Sequence, residues 1–163
     1  MKYTVSIEIA LPREKVVELL TDPVHLPKWL RGLVVHEPLT GVHGKVGTTS
    51  RVVLRMGNQE MEITETITRS EPADVSGILP DDVVHYDREM VATGMWSVAR
   101  EQLMEAGSES TLWVSANEYR FDGVVMRLLA PLMRRAFVKQ SLQHMQDFKA
   151  YAERGRDVRD GTT

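Results

Sequence analysis

Cysteine is missing from all 163 residues. Disulfides, thiolate zinc sites, iron–sulfur clusters and cysteine nucleophiles are therefore excluded. The chain suits a reducing compartment, and a cytoplasmic location is expected. An excess of positive charge is also missing. Twenty lysines and arginines face 23 aspartates and glutamates, for a formal net charge of −3. Without a concentrated basic surface to neutralise phosphates, nucleic acid is not an expected partner. Long apolar runs are absent too. The longest, Leu128–Met133, is far short of the roughly 20 residues that a spanning helix needs, so no transmembrane segment is expected. Nor does the opening "MKYTVSIEIALPREK" contain the unbroken apolar core of a signal peptide, because Glu8 interrupts it.

Familiar catalytic motifs are missing as well. There is no G-x-S-x-G elbow, and "GVHGKVG" matches neither a phosphate-binding loop nor a dinucleotide fingerprint. His25, His36, His43, His85 and His144 fall into no recognised metal-ligand spacing, so neither a metal nor another cofactor is expected.

What the chain does contain is periodicity. Tyr3, Val5, Ile7 and Ile9 alternate with polar residues, as in a half-buried strand. "LPREKVVELLTDP" then reads as a helix opened by Pro12 and ended by Asp22-Pro23. A second short helix is expected over about residues 25–31, stopped by Gly32. Period-2 segments follow near residues 33–39, 48–56, 60–69, 83–92, 95–104 and 111–121, with short turn-like separators that favour antiparallel pairing. "SEPADVSGILPDD" is a longer connection and a candidate rim for a pocket mouth. The last element is one long helix whose stripe includes Met126, Leu129, Met133, Phe137, Met145 and Phe148. Pro131 should kink it or mark a restart. The expected architecture is α+β: a curved antiparallel sheet of about seven strands around a long C-terminal helix, with two short helices after the first strand. Residues 1–154 read as one domain, and residues 155–163 as a frayed tail.

Two stretches, "LPREKVVELLTDPVHLPKWLRGL" and "NEYRFDGVVMRLLAPLMRRAFVKQSLQHMQDFKAYAE", carry a resemblance to the START-like superfamily, also called SRPBCC. Its helix-grip members include polyketide cyclase/dehydrase-like proteins, lipid-transfer domains and the birch-pollen allergen group. The resemblance implies a deep apolar cavity between the sheet and the C-terminal helix that holds hydrophobic ligands. It supplies no universal catalytic residues.

Candidate ligand-binding residues follow from that expectation and from strand parity. Met126, Leu129, Met133 and Phe137 would form the helical wall, because methionine adapts to different shapes; the alternative is plain core packing. Leu54 and Trp29 would line or seal the cavity. Glu65 shares parity with Met61, Ile63 and Ile67, and a carboxylate there would have a raised pKa unless it meets a cationic partner. Glu118 shares parity with Leu112, Val114 and Ala116; Arg100 with Trp96, Val98 and Met104; Tyr86 with Val84 and Met90. An inward Arg100 would need a carboxylate partner. Arg127, Arg134, Arg135 and Lys139 form a basic set, either a solvated helix face or a weak docking surface for anionic membranes. Three functions remain: a carrier of a hydrophobic small molecule, a cyclase, aromatase or dehydratase using the same cavity, or an interaction module with a closed core. Ligand identity and oligomeric state are left open.

Overall fold

In the computed structural model, residues 1–160 are described. The alternation at the N-terminus forms strand β1 (Lys2–Ile9), which buries Tyr3, Val5 and Ile9. Pro12 caps helix α1 (Arg13–Thr21), which turns Val16, Leu19 and Leu20 inward. Helix α2 (Leu26–Trp29) is a single turn, shorter than the expected 25–31, because Leu30 is already extended (ψ 92°). Gly32 (φ 84°) then leads into the sheet. A Cβ at this position would lie 2.5 Å from the Arg55 carbonyl oxygen, so both the backbone angle and the close approach require glycine.

The period-2 segments become β2 (Leu33–Thr40), β3 (Thr49–Met56), β4 (Gln59–Glu71), β5 (Val84–Ala92), β6 (Met95–Gly107) and β7 (Ser110–Phe121). They join β1 in one antiparallel sheet of order β1-β7-β6-β5-β4-β3-β2. Strands β4 and β6 outrun their expected ends by a few residues each. The helix-grip architecture expected from the sequence is the one observed.

The long helix α3 (Val124–Arg154) runs unbroken through Pro131. Its two halves differ. In the C-terminal half Phe148, with no exposed surface, meets Trp29 and Trp113 edge-on at 5.2 Å each, and Met145 is buried in the same core. Such edge-to-face aromatic pairs add to the stability gained from area burial alone. In the N-terminal half Val124, Val125 and Leu128 are exposed, and Leu132 keeps 78% of its surface. The apolar stripe therefore does not lie on the sheet along its whole length.

The proline-containing connection between β4 and β5 packs on the α1 side. Val75 and Ile78 rest on the main core, and the buried Arg13 guanidinium donates to the carbonyls of Leu79, Pro80 and Asp82. This segment contributes no lining residue to the main cavity, in contrast to its expected position at a pocket rim. At the C-terminus, Gly155 takes the left-handed conformation (φ 67°) that ends α3. The Val158 N–H then donates to the Lys28 carbonyl at 2.9 Å. Residues 161–163 of the expected frayed tail lie outside the described residues.

Candidate functional site

Between the concave face of the sheet and the middle of α3 lies a cavity of about 230 Å³. Its apolar wall is rich in methionine: Met56, Met61, Met90 and Met95 project from the sheet, and Met145 from α3. An unbranched thioether on several facing strands gives a wall that can repack around ligands of different outline. Met56 is 49% exposed, so the cavity meets solvent near the turn joining β3 and β4.

A chain of polar side chains crosses the sheet along the wall of this cavity. Arg88 on β5 stands between two carboxylates, 3.4 Å from Glu65 Oε2 on β4 and 3.2 Å from Glu101 Oε1 on β6. Trp113 Nε1 donates to Glu101 Oε2 at 2.6 Å. On the far side, His36 Nε2 on β2 lies 3.5 Å from Glu65 Oε1, and the His36 ring meets His43 edge-on at 4.7 Å. Arg88 retains 17% of its side-chain surface, and that surface faces the cavity.

Electrostatics decide which of these groups carry charge. Burial on its own would raise the Glu65 carboxyl, but the polar contact with His36 at 3.5 Å and the Arg88 charge outweigh it and hold the group below its ordinary value. Burial opposes charge on Arg88 as well; Glu65 and Glu101 reverse that and push its pKa well above the usual value. Burial raises the Tyr119 hydroxyl on the cavity wall far above the ordinary value, with Tyr3 adding to the effect. Of the two alternatives open for Glu65, a raised carboxyl or one paired with a cation, the structure has the paired one, with Arg88 as the partner.

His144, on the cavity side of α3, is lowered from its ordinary 6.5 mainly by burial, with Asp147 opposing and Arg88 and Arg31 reinforcing. A histidine held neutral contributes stability that is complete above about pH 6.5. That stability is lost as the pH falls, because the unfolded chain then binds the extra proton. His144→Gln should accordingly flatten the fall in stability between about pH 6.5 and 5, as read from urea denaturation across that range.

The structure brings some of the sequence-derived candidates to the cavity and not others. Trp29, Leu54, Glu65 and Phe137 line it. Tyr86 is on the inner face but buried behind Arg88, whose guanidinium carbon lies 5.8 Å from its ring centre; burial pushes its hydroxyl up to about 12. Met126, Leu129 and Met133 belong to the first turns of α3, which do not line the cavity, and Met126 and Leu129 are exposed.

Arg100 and Glu118 sit on the outer face of the sheet. There Arg100 lies 3.7 Å from Glu118, which also pairs with Lys2 and Arg120. The Arg120 hydrogen bond and then Lys2 hold the Glu118 carboxyl below its ordinary value. Because Arg100 is about half exposed, Arg100→Ala should change stability by less than about 1 kcal/mol in urea denaturation. It should also leave ligand affinity unchanged.

Among the polar residues that sequence reasoning missed are Arg88, Ser97, Glu101, Ser115, Asn117 and His144, which line the cavity, and His36 and His43 beside Glu65. Arg88 had a signal, since it shares parity with Tyr86 and Met90. On β6 and β7 the parity signal is reversed by the outer face. Trp96 lies under the Arg120 guanidinium at 4.4 Å, and Val98 is buried on that same side. Long charged side chains can cover apolar surface with their stems.

Solved structures of low sequence identity share this fold. A Thermus thermophilus protein aligns with a TM-score of 0.71 at 14% identity, covering 95% of this chain and 99% of its own. The Zhui aromatase/cyclase of a Streptomyces species aligns at 0.69 and 16% identity, covering 99% of each chain. Norcoclaurine synthase from Thalictrum flavum, solved with dopamine and hydroxybenzaldehyde, aligns at 0.62 and 18% identity, covering 100% of this chain and 88% of its own. No curated protein matches the chain by sequence. None of the described helices is long and apolar enough to cross a membrane. At the level of family the match spans residues 1–153, nearly the full sequence. The chain is a member of the family of polyketide cyclases/dehydrases and lipid-transport proteins.

Proposed function

We propose that this protein binds a hydrophobic small molecule of one to two rings in the cavity between the sheet and α3. The ligand's polar group would face the Glu65–Arg88–Glu101 strip. The observation that carries this reading is the cavity itself, methionine-walled with a few polar groups, which is the usual composition of a small-molecule site. An apolar void of roughly 150 Å³ takes one benzene ring, and the cavity here is about 230 Å³. The Trp29 indole N–H, buried on the cavity wall without a partner, offers a further donor to a ligand oxygen. Family membership supports the same class of ligand.

The test is to purify the protein gently, extract it with organic solvent and identify co-purified molecules by mass spectrometry, then titrate a stripped sample with an apolar fluorescent probe. A stoichiometric apolar compound or saturable probe binding is expected. An empty extract together with no probe binding would sink the reading.

A second reading, chemistry of the cyclase or dehydratase kind, is favoured by the convergence of Glu65 and Arg88 in one cavity, 3.4 Å apart. The aromatase/cyclase and synthase named above share the fold and lend analogy alone. Here Arg88 would stabilise a developing oxyanion, and Glu65, kept ionised, would act as a base rather than an acid. Recovery of a chemically altered compound after incubation with candidate polyketides would favour this reading, provided that Arg88→Gln abolished the change.

A further inference from the structure

The strip is unbalanced in charge. One guanidinium, Arg88, serves two buried carboxylates, Glu65 and Glu101, and Glu101 is further satisfied by Trp113. Arg88 approaches Glu65 through Oε2, which leaves Oε1 facing the two histidines. The His36 side chain is 94% buried, being 6% exposed, yet its Nε2 has no well-aligned hydrogen-bond partner. Nδ1 of His43 is likewise buried and unpartnered. A nitrogen of His36, a nitrogen of His43 and an oxygen of Glu65 thus lie close together, beside a net negative charge. A buried polar atom left without a partner is unfavourable, so a cation that engages the histidine nitrogens together with the Glu65 carboxylate would be favoured.

We propose that His36, His43 and Glu65 form a binding site for a divalent transition-metal ion of the zinc class. The three ligand atoms lie within 4.8 Å of one another. Bonds of about 2.0–2.1 Å in a tetrahedral site place ligand atoms roughly 3.4 Å apart. His36 and Glu65 already stand at 3.5 Å. His43 has the further distance to move, and it rides on the β2–β3 connection beside Gly44, where nothing crowds the backbone. Two imidazoles and one carboxylate suit zinc or iron(II) and leave coordination positions free. A cation here also offsets the surplus carboxylate charge. Sequence spacing hid the site because residues 36, 43 and 65 come from β2, a loop and β4, and meet only through the sheet.

The test is calorimetric titration of chelator-treated, dialysed full-length protein with zinc chloride, alongside the variants His36→Gln, His43→Gln and Glu65→Gln. Circular dichroism would establish that each variant folds. Cobalt(II) absorption would report the ligand field independently. The expected result is one zinc ion per chain, with affinity falling at least about tenfold in each variant. A low-symmetry cobalt spectrum should also appear in the wild type and vanish in His43→Gln. The proposal is overturned if the wild type binds no zinc, or if folded His36→Gln and His43→Gln variants bind it as tightly as the wild type. Should any variant fail to fold, the milder His43→Asn at the loop position provides the same comparison.

Discussion

Replacing Arg88 with methionine should cost about 3–5 kcal/mol of stability, read as a lower urea midpoint with little change in slope. The substitution keeps most of the side chain's volume and removes only the charge and its donors. Glu65 and Glu101, both buried, would then lose their shared guanidinium. Uncompensated buried charge is the source of the penalty, more than the loss of an attraction. Neutralising the carboxylates should therefore recover much of it: the triple variant Arg88→Met with Glu65→Gln and Glu101→Gln should be more stable than Arg88→Met alone. The two measurements separate charge burial from simple loss of packing. If the single substitution cost less than about 1 kcal/mol, Arg88 would have to be solvated and the polar strip would not hold the sheet's inner face together.

Much of the architecture was legible because each element buries one face with an unambiguous period. Tyr3, Val5 and Ile9 on β1, and Val16, Leu19 and Leu20 on α1, read directly as inward residues and are buried. Leu54, Glu65, Trp29 and Phe137 line the cavity for the same reason. The reading was misled where both faces of an element carry apolar residues. On the outer face of β6, Trp96 lies under the Arg120 guanidinium and Val98 is buried, so parity pointed to Arg100 and Glu118 instead of Glu101 and Asn117. On α3, one stripe serves two purposes, packing Met145 and Phe148 while presenting Leu128 and Leu132 to solvent. Periodicity can identify such a stripe, but not the place where the sheet stops covering it. The histidine pair was hidden for a different reason: spacing along the chain says nothing about register across a sheet.

Ala99→Phe should abolish, or weaken by at least about tenfold, the binding of an apolar fluorescent probe, equivalent to about 1.4 kcal/mol. Ala99 lies mid-strand on β6, opposite Arg88 on one side and Asn117 on the other, and lines the cavity. A phenyl group occupies a void of roughly 150 Å³, most of the 230 Å³ present, so the probe loses its space. Since the ring enters an existing cavity rather than a filled core, thermal stability should hold or fall by no more than about 1–3 kcal/mol. Met133→Trp is the matched control. It adds bulk on the part of α3 that does not line the cavity, and it should leave probe binding intact. The reverse pattern, with Ala99→Phe binding normally and Met133→Trp not at all, would move the ligand out of the cavity and onto the exposed apolar half of α3. Val124, Val125, Leu128 and Leu132 would then be the binding surface, and the softness of the sheet's methionine wall would have to be explained by packing alone.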